Sequence, residues 1–177
     1  VDELRKQLAL KVDLPVRDPG QGIRATVIGA SQFTVQVSGK TIFVTDHGVL
    51  PVHNVPVVHL AANLSGNLDE KLIASAIREG IYRMDLAPES RMAIAFSWGG
   101  DPEYSRLRAM AQGIVNAVAP EGRRDAPLLL MIDGDIANIM GHLLIDELGL
   151  PGDLISVDGV QLQELDFVDV GELIDPP

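Results

Sequence analysis

The stretch LLLMIDGDIANIMGHLL, Leu128 to Leu144, joins two kinds of periodicity. Leu128 to Ile132 is an unbroken apolar run of strand length, as expected of a strand covered on both faces. Beyond Asp133-Gly134-Asp135, the residues Ile136, Ile139, Met140, Leu143 and Leu144 recur at i, i+3, i+4, i+7 and i+8, one face of a helix. A buried strand feeding an amphipathic helix is the repeating unit of a layered α/β fold. The junction has two readings. Asp135 can cap the helix, accepting from its free amides. Alternatively those amides and the helix dipole can hold an anion. The junction carries two carboxylates and no Lys or Arg, so a phosphate there needs a bridging metal. The spacing matches neither GxxxxGK[ST] nor GxGxxG. Capping by Asp135 is the primary expectation. A metal-bridged phosphate at Asp133, Gly134 and Asp135 and a partner contact there are the alternatives.

Outward from this unit the chain alternates. Asp69 to Met84 reads as a helix with Leu72, Ile73, Ala76, Ile77 and Ile81 inward, and MAIAFSW as a short buried strand. Asp101 followed by Pro102 is expected to start the next helix, which Pro120-Glu121-Gly122 ends. Gly149 and Pro151 close the helix that follows Asp135, and LISV and DFVDVG supply two more strands. Toward the N-terminus, Leu4, Leu8 and Val12 mark a short helix, broken at Pro15 and Pro19-Gly20. IRATVIG, FTVQVSG and KTIFV then read as strands, with a hairpin turn at Ser38-Gly39-Lys40. VLPVHNVPVVHL carries Pro51 and Pro56, which suits an edge strand or an extended crossing segment. The fold expected is α/β: a layered mixed β-sheet with an N-terminal β-meander followed by alternating helices and strands. Residues 1–21 form a helix and linker, and residues 22–177 a single domain.

Composition narrows the function. Aromatic residues are only 4 % against 46 % hydrophobic, so the core must be aliphatic. A net charge of −11 argues against nucleic acid and anionic membrane surfaces, which both need a basic face. Cysteine is absent, which excludes disulfides, thiolate metal sites and a cysteine nucleophile. No stretch approaches the ~20 apolar residues of a membrane span. A cytoplasmic protein is the simplest expectation. The chain starts on a helical pattern without Met, so a part of a longer chain is expected.

Other candidate sites are weaker. Gly29, Ala30, Ser31 and Gln32, in VIGASQ, can present backbone amides to a phosphate, or form a tight turn. Trp98, in SWGGDPEY, is expected to be a half-buried core residue rather than a partner anchor. His47, His53 and His59 lie six apart, and six extended residues span roughly 20 Å, too far to share one ion. His142 stands elsewhere, and neither HExxH nor a GxSxG elbow occurs. No metal site and no catalytic residue is expected. Glu164, Asp166, Asp169 and Glu172 read as the solvated face of an acidic C-terminal hairpin, or as a dock for a basic partner.

IRATVIGASQFTVQVSGKTIFV, VLPVHNVPVV, PLLLMIDGDIANIMGHLL and DGVQLQELDFVDVGELI, in that order, resemble the C-terminal part of EutA-type ethanolamine ammonia-lyase reactivating factors. The resemblance covers about Gly22 to Ile174. It implies membership of the actin- and Hsp70-like ATPase superfamily. It also implies a molecular chaperone that drives ATP-dependent exchange of damaged cobalamin on ethanolamine ammonia-lyase. The setting implied is bacterial ethanolamine catabolism, often in a microcompartment. The superfamily's DIGTT, DIGGGT and SGG signatures are not present in full. TVIGAS has a related outline, but Thr26 stands where the metal-orienting Asp would be, and SWGG is only loosely similar to SGG. TDHG, at His47, has only a superficial likeness to a DxHxxG cobalamin loop. ATP and Mg are therefore implied for a longer parent protein, with no cofactor and no ATPase activity expected of this chain. Its expected partners are ethanolamine ammonia-lyase and an N-terminal ATPase region of its own. A second function class also stands: a small Mg-dependent enzyme holding a phosphate substrate with Asp133 and Asp135.

Overall fold

Asp69 opens the first described helix, where the sequence predicts its start. Its side chain accepts from the Lys71 amide at 2.8 Å, and α1 (Glu70–Arg83) follows. The computed structural model describes residues 32–35, 42–62, 64–87, 90–119, 126–163 and 166–172. Strands β1 (Gln32–Val35), β2 (Ile42–Val44) and β3 (Val52–His59) precede α1. After it come β4 (Met92–Ser97), α2 (Tyr104–Val118), β5 (Leu128–Asp133), α3 (Ala137–His142), β6 (Leu154–Asp158) and β7 (Phe167–Val170). The seven described strands form one sheet in the order β1-β7-β3-β4-β5-β6-β2. Strands β3 to β6 run parallel, and β2 and β7 run antiparallel to their neighbours β6 and β3. The alternating α/β class with a mixed sheet is as the sequence predicts.

Strand alternation divides the core into two layers. Leu128, Leu130 and Ile132 of β5 face the helices, where they pack with Ile73, Ile77, Met110, Ile114 and Met140. Leu129 and Met131 face the other side, with Val55, Val57, Ala93 and Ile155. These five β5 side chains are buried, which is why the run shows no polar alternation. The helices approach closely where glycine permits. A Cβ on Gly113 of α2 would stand 2.6 Å from the Ile73 side chain of α1. Among the described residues no helix is long and apolar enough to cross a membrane.

Several expectations are corrected. β1 and β2 do not pair with each other; among the described strands they stand at opposite edges, β1 on β7 and β2 on β6, and Ser38–Lys40 lie outside the described residues. Alternation fixes which face of a strand is buried but not which strand lies beside it. The chain from Val35 to Ile42 reaches about 25 Å at most, less than the roughly 29 Å across seven strands laid flat. The sheet therefore curls. β3 is central rather than an edge strand: residues Val52 to Pro56 pair with β7 and Val57 to His59 with β4. Pro56 is tolerated at the changeover, where the ladder to β4 begins only at Val57. A register shift between Val52 and Val55 contains Asn54, at φ 55°, whose amide donates to Asp169 Oδ1 at 2.7 Å.

Helix ends also differ. α2 begins at Tyr104, not at Asp101, and Glu103 at its N-cap makes no side-chain cap bond. Leu72 of α1, expected inward, is 70 % exposed; Ile73, Ala74, Ile77 and Gly80 form the buried face. Gly149 closes the last helix at φ 64°, as expected, but the helix widens into a π-turn over Leu143–Glu147. β6 and β7 do not form a C-terminal hairpin, because β7 pairs with β1 and β3. Asp166 there is buried, with Oδ2 accepting from the Gln163 amide at 2.6 Å. The expected helix at Leu4–Val12 and the strand IRATVIG lie outside the described residues, as do Pro120-Glu121-Gly122 and Glu164.

Candidate functional site

The parallel strands β3 to β6 all end at one edge of the sheet, where α/β folds place their ligands. The ends are His59, Ser97, Asp133 and Asp158. Alternation sends Asp158 to the helix side, with Leu154, and Asp133 to the opposite side, with Leu129 and Met131. Asp133 Oδ2 accepts from the Ser97 hydroxyl at 3.0 Å, while Asp135 is exposed.

Asp135 is not the cap of α3; Ile136 holds the N-cap position. The free amides are bound by Asp158, whose Oδ1 accepts from Ile136 N and Ala137 N at 2.9 Å each, and whose Oδ2 accepts from Ala137 N at 3.0 Å. The helix start is thus an anion site, and its anion is a side chain of the protein. Burial raises the Asp158 carboxyl above the usual carboxylate range, the two amide bonds pull it down, and the nearby charge of Asp135 adds to the rise.

The SWGGD loop is organised by Arg106. This side chain of α2, 8 % exposed, donates from Nε to Gly66 O at 3.0 Å and from Nη2 to Gly99 O at 2.6 Å. It also donates to Asp101 O and Leu64 O. Its guanidinium lies 4.7 Å from the centroid of the Trp98 ring. Trp98 is half-buried against the helix-side core, as expected. Gly100, at φ 76°, gives the turn its left-handed residue. Sequence reading missed Arg106, because a lone Arg in a helix has the signature of a solvated residue.

On the far face a cleft of about 350 Å3 opens between the strand ends and the segment after β6. His59, Ser97, Asp133, Gln161 and Gln163 line it, with Phe96 and Leu162. The segment folds back because Val160 N donates to Ile132 O at 3.1 Å. The other histidines stand apart. His47 starts a 3-10 turn, His53 lies 3.5 Å from Asp169, and His142 Nδ1 lies 2.7 Å from Asp146 Oδ2. Among the described residues no group of three or more His, Asp and Glu side chains is placed to hold a metal. Gly29, Ala30 and Ser31 lie outside the described residues; Gln32 is described only as the first residue of β1, opposite Phe167.

A family model described as ethanolamine utilisation protein EutA matches residues 2–175. The chain belongs to the EutA family. Two proteins named ethanolamine ammonia-lyase reactivase EutA are similar to it, from Escherichia coli (strain K12) and Salmonella typhimurium (strain LT2). Each is 30 % identical, over 162 and 161 residues, covering 90 % of this chain and 32 % of theirs. The chain therefore spans about a third of the length of the curated relatives it matches. No solved structure matches.

In this EutA-family chain the groups at the described strand ends that could hold a phosphate are already engaged. The amides of α3 are bound by Asp158, Asp133 and Asp135 add negative charge, and the guanidinium of Arg106 is held by four backbone carbonyls.

Proposed function

We propose that this chain serves as the C-terminal portion of a longer factor that reactivates ethanolamine ammonia-lyase. Its part is protein contact and assembly with an N-terminal ATPase region, and ATP and Mg are handled by residues beyond these. In this reading ATP-driven contact loosens the lyase, damaged cobalamin leaves and fresh adenosylcobalamin enters, in the bacterial cytoplasm or its microcompartments. The observation that carries the proposal is the family match along residues 2–175, with two relatives that both bear the reactivase name. The geometry supports a scaffold role: Asp158 is committed to α3, and Arg106 to the loops beneath it.

The test is a pull-down of ethanolamine ammonia-lyase by the tagged chain, with a full-length relative as positive control. Recovery of the lyase by both supports a docking role. Recovery by the longer protein alone removes docking from this portion. Calorimetry with Mg-ATP tests the second element: the chain is expected to give no saturable heat, and micromolar binding would overturn the division of labour.

A further inference from the structure

The cleft on the far face of the sheet has a chemical bias independent of the reactivation reading. Its polar lining is rich in acceptors. Asp133 brings a carboxylate, Ser97 an oxygen whose proton points to Asp133, and Gln161 and Gln163 bring amide oxygens. His59, when neutral, adds a ring nitrogen. Among the described residues no Lys or Arg lines the cleft, and the Asp133 carboxylate meets only one hydroxyl among the bonds described. Val160 and Leu162 supply an apolar wall. An ammonium group has three donors and no acceptor, which is the complement of this lining. The two glutamine amides also carry donors, so they can receive a hydroxyl as well.

We infer that the cleft formed by His59, Ser97, Asp133, Gln161 and Gln163 binds a small organic ammonium ion, with Asp133 as its counter-charge. The site is distinct from the anion-binding start of α3, which opens on the other face and is filled by Asp158.

The full 177-residue chain is titrated with three two-carbon probes: 2-aminoethanol, ethylammonium and ethylene glycol. Backbone amide shifts near Ser97, Asp133, Gln161 and Gln163 are followed by NMR. Saturable shifts are expected for both amines, with Kd near ~1 mM, and none for the uncharged diol. Asp133→Asn, nearly isosteric, is expected to weaken the amines by at least about tenfold; Ser97→Ala weakens them less. Because an acidic chain attracts any cation, Asp135→Asn serves as control: it removes an exposed carboxylate that does not line the cleft, and binding should persist. The inference is overturned if neither amine saturates, if the diol binds as well, or if Asp135→Asn costs as much as Asp133→Asn. Should Asp133→Asn fail to fold, the Ser97→Ala and Asp135→Asn titrations alone decide, since only the first should weaken binding.

Discussion

Asp158 Oδ1 lies 2.9 Å from the amide nitrogen of Ala137, so the start of α3 is capped from a strand 21 residues further along the chain. Removing that carboxylate in Asp158→Ala leaves two amides without their acceptor. A loss of about 1–2 kcal/mol in urea unfolding is expected, as for other lost caps. The pH dependence has a defined sign. Folding raises the Asp158 pKa, so the folded state favours the neutral carboxyl. Its stabilising contribution is complete below the ordinary Asp value of about 3.9 and is lost as pH rises through the higher folded value. Relative to Asp158→Asn, the wild-type protein should gain stability as pH falls across this window. A difference that grows as pH rises would contradict the raised pKa.

Arg106 gathers the carbonyls of Leu64, Gly66, Gly99 and Asp101 into one fork. Arg106→Met strands these acceptors and should cost about 3 kcal/mol. Arg106→Lys should recover little, because one ammonium cannot reach four carbonyls in this geometry. Amide hydrogen exchange checks the location of the effect: protection should fall in residues 64–66 and 99–101 before it falls in β5.

Gly141 and Phe43 form a size-matched pair. A Cβ at Gly141 would stand 2.1 Å from Phe43 Cγ. Gly141→Ala should therefore destabilise by about 1–3 kcal/mol, although alanine favours a helix interior by ~1 kcal/mol. Adding Phe43→Leu should recover part of the loss, giving a favourable coupling in a double-mutant cycle. Additive losses would show that the contact is not what limits residue 141.

Ser156 is fully buried on β6, and its hydroxyl has no hydrogen-bond partner among the described residues. Ser156→Ala removes an unsatisfied polar group at little cost in volume. A gain of about 1 kcal/mol in chemical unfolding is expected. A loss of that size would mean that the hydroxyl is satisfied by bound water.

Local signals were readable and distant ones were not. The periodicity of α1, the apolar runs of β4 and β5, and the positive-φ Gly149 all act within a few residues, where sequence and structure correspond closely. The errors are long-range. β1 and β2 have the alternation of a hairpin, yet their partners lie more than 100 residues away. Pro56 argues for an edge, but β3 changes neighbours there and so keeps a central place. At the strand ends, Asp135 has the sequence position of a cap, while Asp158 has the reach. Asp133 and Asp135 lie two residues apart in sequence; Asp133 accepts from Ser97, while Asp135 is exposed.

The last strand sets the order in which this fold can be completed. Phe167–Val170 is the partner of β1 and of the first half of β3, and β6 is the partner of β2. As the chain leaves the ribosome, the earliest strands must wait for the latest ones, a delay that slows folding and leaves apolar strands bare in the meantime. A nascent protein of this kind has cause to engage a holdase, and a stop codon before Phe167 would leave β1 with no neighbour among the described strands.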